Sequence, residues 1–200
     1  MQDPTDNLAP AGRQVLRLDP HAYESLVPTG GGSAEAKQLL AALTPDELVT
    51  PQAKNRHEAA AMLAGLWLWH DWLDESHRLS QNIETPSGSF WHAILHRREG
   101  DFSNGKYWYA RCASHPTMQA MAANAPKLVN SFPADKALLR LVATGWNASA
   151  FVDLVEQVHQ APQDPRHALA VALQKLEWQL LFDHCTRAAA TGGGLSLPVR

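Results

Sequence analysis

Residues 59–74 read AAAMLAGLWLWHDWLD, and this stretch decides the fold class. Around it, from about Gln52 to Gln81, the chain has no proline and only one glycine, Gly65. Alanine, leucine, methionine, glutamate and lysine predominate there, so the sequence predicts one long helix over about 52–81. Apolar side chains occupy nearly every side of its middle, which is typical of a helix surrounded by other helices. We therefore expect a bundle built around a long central helix.

Helix start signals recur along the rest of the chain. Ser33, Asp101, Asn147 and Asp164 each precede a helical segment, and their side chains are suited to accept hydrogen bonds from its first turn. The further helices that the sequence predicts cover residues 19–26, 33–43, 89–99, 102–112, 115–121, 134–143, 148–159 and 165–190, and residues 44–47 open another short one. No segment alternates apolar and polar residues with β-branched enrichment. The expected fold is therefore all-α, without a sheet.

The length of the chain, 200 residues, suits a single-domain helical bundle with short appendages. Residues 1–32 mix proline, glycine and isolated apolar positions and end in the run PTGGG, so they are predicted to form an N-terminal arm and flexible connector. Residues 33–190 form the helical domain in this interpretation. Residues 191–200 are expected to be a mobile tail.

Composition and charge exclude several classes of partner. The formal net charge is -3, and lysine and arginine are scattered, so we expect no nucleic acid. The longest apolar run, 59–69, is about half the length needed to cross a bilayer, so we expect no membrane. The first residues show neither the basic region nor the apolar stretch expected of a signal peptide, and only two distant cysteines, Cys112 and Cys185, are present. A cytoplasmic location is therefore expected, while the oligomeric state stays unknown.

Histidines and carboxylates recur with one spacing in two neighbouring helices. The two sets, each with offsets of four and then three residues, are His70, Asp74 and His77, and His92, His96 and Glu99. Such offsets place the three side chains of each set within about 60° on one helix face. A tight turn near 85–88 joins the helices, so they are expected to pack antiparallel with the two stripes facing each other.

Facing stripes of this kind are typical of metal sites in helical bundles. All six residues are candidate ligands of a divalent metal, either zinc or non-haem iron. Asp74, His77 and His92 are the candidates for catalytic acid–base work, with or without a metal. The same residues could instead form a buried structural network, and ligation of a haem by one histidine is a further alternative.

The segment RREGDFSNGKYWY, residues 97–109, is the least generic part of the chain. Arg98 and Lys106 are candidates for binding an anion. Trp91 and Tyr107 offer flat apolar faces with polar edges, which suit a sugar-like ring. Trp108 fits a core position and a ligand contact equally well. Glu177 and His184, seven residues apart on the last helix, could complete such a site.

The stretch SFWHAILHRREGDFSNGKYWYARCASHP, residues 89–116, follows LWLWHDWLDESH at 66–77. Together they resemble a pattern of uncharacterised bacterial and fungal helical proteins that share a WHxxxHRREGDFxNxKYW-like stretch. The resemblance implies an all-helical fold and no activity.

Two functions from different classes follow from these patterns. One is a cytoplasmic enzyme whose histidine and carboxylate site, with or without a metal, acts on a small polar or anionic molecule such as a sugar-like ligand. The other is a non-catalytic helical binding or scaffold domain, in which a buried network of histidine and aspartate side chains stabilises the fold.

Overall fold

The computed structural model describes residues 7–19, 21–50, 52–133 and 135–193. Within these ranges the chain forms ten α-helices, one 3-10 helix (η1) and no β-strand. The elements are α1 (Pro10–Arg17), α2 (Ala34–Ala42), η1 (Pro45–Leu48), α3 (Arg56–Trp69), α4 (Leu73–Ser80), α5 (Pro86–Glu99), α6 (Phe102–Arg111), α7 (Pro116–Val129), α8 (Lys136–Val142), α9 (Ala148–Val158) and α10 (Pro165–Thr191). The predicted all-α fold class is confirmed.

The prediction of a single central helix over 52–81 is wrong in one respect, because the structure has two helices there, α3 and α4. Asp71 has a φ of 60°, in the left-handed region that a right-handed helix cannot continue through. The buried Arg98 guanidinium holds this break: it donates to the carbonyl of Leu68 at 2.7 Å and to Asp71 Oδ1 at 2.6 Å. Helix propensity alone gives no sign of this long-range contact.

Other helix boundaries shift by a few residues. The second helix of the site, α5, begins at Pro86 instead of 89, because Thr85 caps it by accepting a hydrogen bond from the Gly88 amide. Helix α7 continues past 121 to Val129, with Pro126 inside it. The short helix predicted over 19–26 is replaced, in its described residues, by turns.

The first 32 residues, as far as they are described, contribute to the core. Leu8, Val15 and Tyr23 are fully buried. The backbone amide of Gly32 donates to the carbonyl of His70 at 3.0 Å, and a Cβ on Gly32 would lie 2.2 Å from that oxygen. The glycine run therefore allows close packing on the α3–α4 break. The domain boundaries at 32 and 190 stay predictions, and residues 194–200 of the predicted tail lie outside the described residues.

The core consists of two apolar clusters that share α10. One cluster surrounds α3 and α5, where Trp178 donates to the carbonyl of Gly65 at 2.8 Å and a Cβ on Gly65 would collide with the Trp91 ring. The other lies among α7, α8 and α9. No helix within the described part of the chain combines the length and apolar character needed to cross a membrane.

Candidate functional site

Three histidines of α4 and α5 converge at one edge of the bundle. His77, His92 and His96 each offer a ring nitrogen, and these three atoms lie within 4.8 Å of one another. The Nε2 atoms of His77 and His92 are 3.1 Å apart, and the His92 and His96 rings stack at 4.6 Å. His92 and His96 are one turn apart on α5, so they share a face, while His77 approaches from α4. We call this group the histidine cluster.

Glu99 lies beside the histidine cluster at the end of α5. Its Oε2 is 3.0 Å from His96 Nδ1, and its Oε1 is 3.9 Å from His77 Nδ1. The side chains of His77 and Glu99 are 36% and 28% exposed, whereas that of His96 is only 8% exposed. The cluster is therefore reachable from solvent on the side of His77 and Glu99 and closed on the side of α5.

Helix α6 covers the inner side of the histidine cluster. Asn104 Nδ2 donates to His96 Nε2 at 3.1 Å, and the Trp108 ring stacks on His92 with centroids 4.2 Å apart. Asp101 caps α6, and a Cβ on Gly105 would lie 3.2 Å from the Arg97 amide, so a glycine allows α6 to approach α5 closely. Close packing of these two helices positions Asn104 and Trp108.

The imidazole of His92 is electrostatically unusual. Burial lowers its pKa to about 4, and the neighbouring His96 and His77 act in the same direction, while Glu99 opposes them. His92 is therefore neutral at neutral pH. A neutral imidazole is the form that ligates a metal or accepts a proton.

The closest pair of the histidine cluster has the spacing of two ligands of one divalent cation, whereas all three nitrogens, spread over up to 4.8 Å, would have to draw together to bind it at once. Two nitrogens bound to zinc at 2.0–2.1 Å in a tetrahedral arrangement are about 3.3 Å apart, close to the 3.1 Å between His77 and His92. Three histidines suit zinc, and two histidines with the Glu99 carboxylate suit non-haem iron. Glu99 lies 3.0 Å from His96 Nδ1, where outer-shell carboxylates lie around metals, and an ion bound to His96 Nε2 would replace the hydrogen bond from Asn104.

Two of the predicted metal ligands lie outside the histidine cluster. His70 is buried and donates from Nε2 to the carbonyl of Val15 at 2.9 Å, which ties α1 to the end of α3. Asp74 is exposed and lines a surface cavity of about 250 Å³ beside the α3–α4 break. The break separates His70 from α4, so the single stripe expected for His70, Asp74 and His77 is not formed.

The predicted ligand-binding residues are mostly engaged within the protein. Arg98 is fully buried at the α3–α4 break, and Lys106 forms an ion pair with Asp153 of α9. Trp91 is fully buried in the core. Only Tyr107 is well exposed, at 55%. The segment 97–109, which carries three of the four, is close to the histidine cluster, but helical periodicity turns most of these side chains elsewhere.

A sealed polar network lies on the opposite side of α5 from the histidine cluster. Arg97 Nη1 donates to Glu177 Oε2 at 2.6 Å, and Tyr109 donates to Glu177 Oε1 at 2.9 Å; all three residues are buried. Burial alone would lower the pKa of Arg97, but the Glu177 carboxylate outweighs it and raises that pKa. Glu177 therefore balances a buried charge in the core and does not join the histidine cluster.

A second sealed network links α3, α5 and α7. The Thr117 amide donates to His115 Nδ1 at 3.1 Å, so His115 Nε2 carries the proton and donates to Ser87 Oγ, 3.1 Å away. Ser87 in turn donates to Glu58 Oε1 at 3.0 Å, and the whole chain of groups is buried. His184 packs its ring on His115 at 4.5 Å. Ser87 donates to the carboxylate and not to the histidine, which is unlike a serine nucleophile and its base.

Sequence reasoning missed Asn104 and left Trp108 undecided. These two residues are four apart on α6, the same spacing as His92 and His96 on α5. Matching spacings on two helices joined by a short turn are the signal that could have paired them.

Comparison with known proteins finds no matching family model, no similar curated protein and no similar solved structure. The resemblance to a helical family through residues 66–77 and 89–116 therefore stays a prediction. The geometry of the histidine cluster is the basis for any functional assignment.

Proposed function

We propose that the protein is a metal-dependent enzyme that binds one divalent ion, zinc or non-haem iron, through the histidine cluster and acts on a small polar or anionic molecule. The observation that carries this proposal is the convergence of three imidazoles from two helices, with His77 and His92 nitrogens 3.1 Å apart. Three converging imidazoles beside a single carboxylate are a donor set that suits a cation.

The side chains around the histidine cluster have distinct roles in this proposal. His92 and His96 supply ligands from the rigid, buried α5, and His77 supplies the third from the exposed side. A bound ion would supply Lewis acidity and lower the pKa of a water molecule in its open position. Glu99 orients His96 and His77 and is the nearest carboxylate for accepting a proton from the ligand.

Metal binding is tested by elemental analysis of protein purified without chelator and by titration of the metal-free protein with Co²⁺, read by its visible absorption. We expect one equivalent per chain. The variants His92→Gln and His96→Gln should lower the affinity roughly 100-fold or more, because each removes one of three nitrogen ligands. The matched control, His57→Gln, changes an exposed histidine at the start of α3 and should bind like the wild type.

Absence of zinc, iron and manganese after purification, together with no Co²⁺ spectrum on reloading, would exclude the metal-dependent enzyme. Equal Co²⁺ affinity in His92→Gln and His57→Gln would exclude the histidine cluster as the place of binding.

The alternative function, a non-catalytic binding or scaffold domain, is favoured by a different observation. Hydrogen bonds inside the protein already engage the cluster, between Asn104 and His96 and between His77 and His92. In that case His92→Gln should lower the free energy of unfolding by about 1–3 kcal/mol with no metal present. An enzyme should keep its stability in at least one such variant while losing its metal.

A further inference from the structure

Arg111, the last residue of α6, packs against Trp108, the ring that stacks on His92 of the histidine cluster. It is exposed, and its guanidinium carbon lies 5.3 Å from the centroid of the Trp108 ring and 5.8 Å from that of Tyr107. Its Nη1 donates to the Tyr107 hydroxyl at 3.5 Å. Within the described ranges, no carboxylate lies at ion-pair distance from Arg111. Its charge is therefore available to a ligand.

A continuous stack of rings connects Arg111 to the histidine cluster. His96 stacks on His92, His92 stacks on Trp108, and the Arg111 guanidinium lies on Trp108. Because the two outer partners of Trp108 are 4.2 and 5.3 Å from its centroid, the guanidinium is at most 9.5 Å from the His92 ring. That separation is within reach of one small molecule.

The way Arg111 is held suits an anion receptor. A guanidinium that rests on aromatic faces is positioned by its flat surface and keeps its N–H edge free for a carboxylate or phosphate. Such groups accept two parallel hydrogen bonds from one arginine. Arg78, the neighbour of His77 in the chain, is also exposed but rests on no aromatic ring, so it is the appropriate comparison.

We propose that Arg111, held by Trp108 and Tyr107, binds the anionic group of a small-molecule ligand whose other end reaches the ion at the histidine cluster. The ligand class is then a small compound with a carboxylate or phosphate at one end and an oxygen donor at the other. The ring of Tyr107 offers an apolar surface that can contact the part of the ligand between its two ends. This inference rests on the proposed function, because the second anchor is the ion.

The test uses Co²⁺-loaded full-length protein and dicarboxylates of increasing length, from malonate to adipate, each compared with the monocarboxylate of equal chain length. Binding is read from the change in the Co²⁺ absorption spectrum. The matched variants Arg111→Gln and Arg78→Gln remove the same charge from two exposed positions. Phosphonoacetate and 3-phosphonopropionate repeat the measurement with a phosphate-like end, which distinguishes the two kinds of anion.

We expect one dicarboxylate length to bind the wild type and Arg78→Gln roughly tenfold more tightly than its monocarboxylate, as a charge-assisted hydrogen-bonded pair should. In Arg111→Gln this advantage should vanish while Co²⁺ affinity is unchanged. An equal advantage in Arg111→Gln, or none in the wild type, would overturn the role of Arg111 and leave the metal site standing. Failure of Co²⁺ to bind would overturn the proposed function, and this inference with it.

Discussion

Two polar regions on opposite sides of α5 differ in how their charges are balanced. On one side Arg97, Glu177 and Tyr109 form a sealed network in which a cation, an anion and a hydroxyl meet. On the other side the histidine cluster brings three imidazoles together beside a single carboxylate and opens to solvent at His77. Arg97 directly follows His96 in the chain, so one helical step separates the two regions.

Burial and charge balance, more than residue type, indicate what a polar group does in this protein. The sealed network balances its charges, since the Arg97 guanidinium faces the Glu177 carboxylate, which is expected of groups that stabilise a core. The histidine cluster lacks such complementarity and can be reached from outside, which is typical of a binding site. The predictions below use variants that should affect one region and not the other.

The largest effect is expected from Arg97→Met, which leaves the buried Glu177 carboxylate without its cation. We expect a loss of about 3–5 kcal/mol in the free energy of unfolding, measured by urea denaturation. The double variant Arg97→Met, Glu177→Leu should recover much of the loss, because no isolated charge remains. The Co²⁺ affinity of the folded fraction should stay within about twofold of the wild-type value. A large change in this affinity would show that the two regions are coupled.

The second largest effect is a loss of stability at acid pH, which we expect from the buried network of Glu58, Ser87 and His115. Burial, followed by the nearby His184, lowers the pKa of His115 to about 3, whereas an unfolded chain has about 6.5. Between these values the unfolded chain binds a proton that the folded protein does not, so stability falls as the pH falls from 6.5 towards 3. His115 alone contributes a slope of up to about 1.4 kcal/mol per pH unit.

His115→Asn should remove that slope while keeping a residue able to cap α7. Urea denaturation at pH 6.5, 5.5 and 4.5 compares it with the control His21→Asn, which changes an exposed residue. Equal pH slopes in the two variants would contradict a neutral, buried His115.

A smaller effect is expected from Glu99→Gln at the histidine cluster. The amide keeps the shape but loses the charge that faces His96 and His77. Co²⁺ affinity should fall about 10- to 100-fold, as it does when outer-shell partners of metal ligands are replaced. Stability of the metal-free protein should change by less than about 0.5 kcal/mol, as for most partly exposed positions. A large loss of stability with intact Co²⁺ binding would assign Glu99 to the scaffold.

The smallest effect is expected from Asp74→Asn, at a residue that sequence reasoning placed among the metal ligands. Asp74 is exposed and outside the histidine cluster, so Co²⁺ affinity should stay within about twofold. Thermal unfolding should also be nearly unchanged. A loss of affinity comparable to that of Glu99→Gln would show that α4 reorients on binding and brings Asp74 to the ion.

Local signals predicted most of the helices and, at the candidate site, the three histidines and Glu99. Asp101 and Asp164 cap helices as their sequence contexts predict, because a cap acts within one turn of the chain. His92 and His96 lie on one face of α5, as their spacing predicts. Asp74 and His70 were misplaced because the α3–α4 break depends on Arg98, about 30 residues later in the chain.

The all-α fold, its helix caps and the pairing of His92 with His96 can be predicted from the sequence, because they follow from helical periodicity and bonds between near neighbours. The identical spacings also predicted that His77 would face them. The tertiary structure was needed to show that His70 and Asp74 lie outside the cluster, that Arg98 and Lys106 are engaged within the fold, and that Arg97 faces the core. Those outcomes depend on which buried groups find partners across distant helices, and such pairings leave no local pattern in the chain.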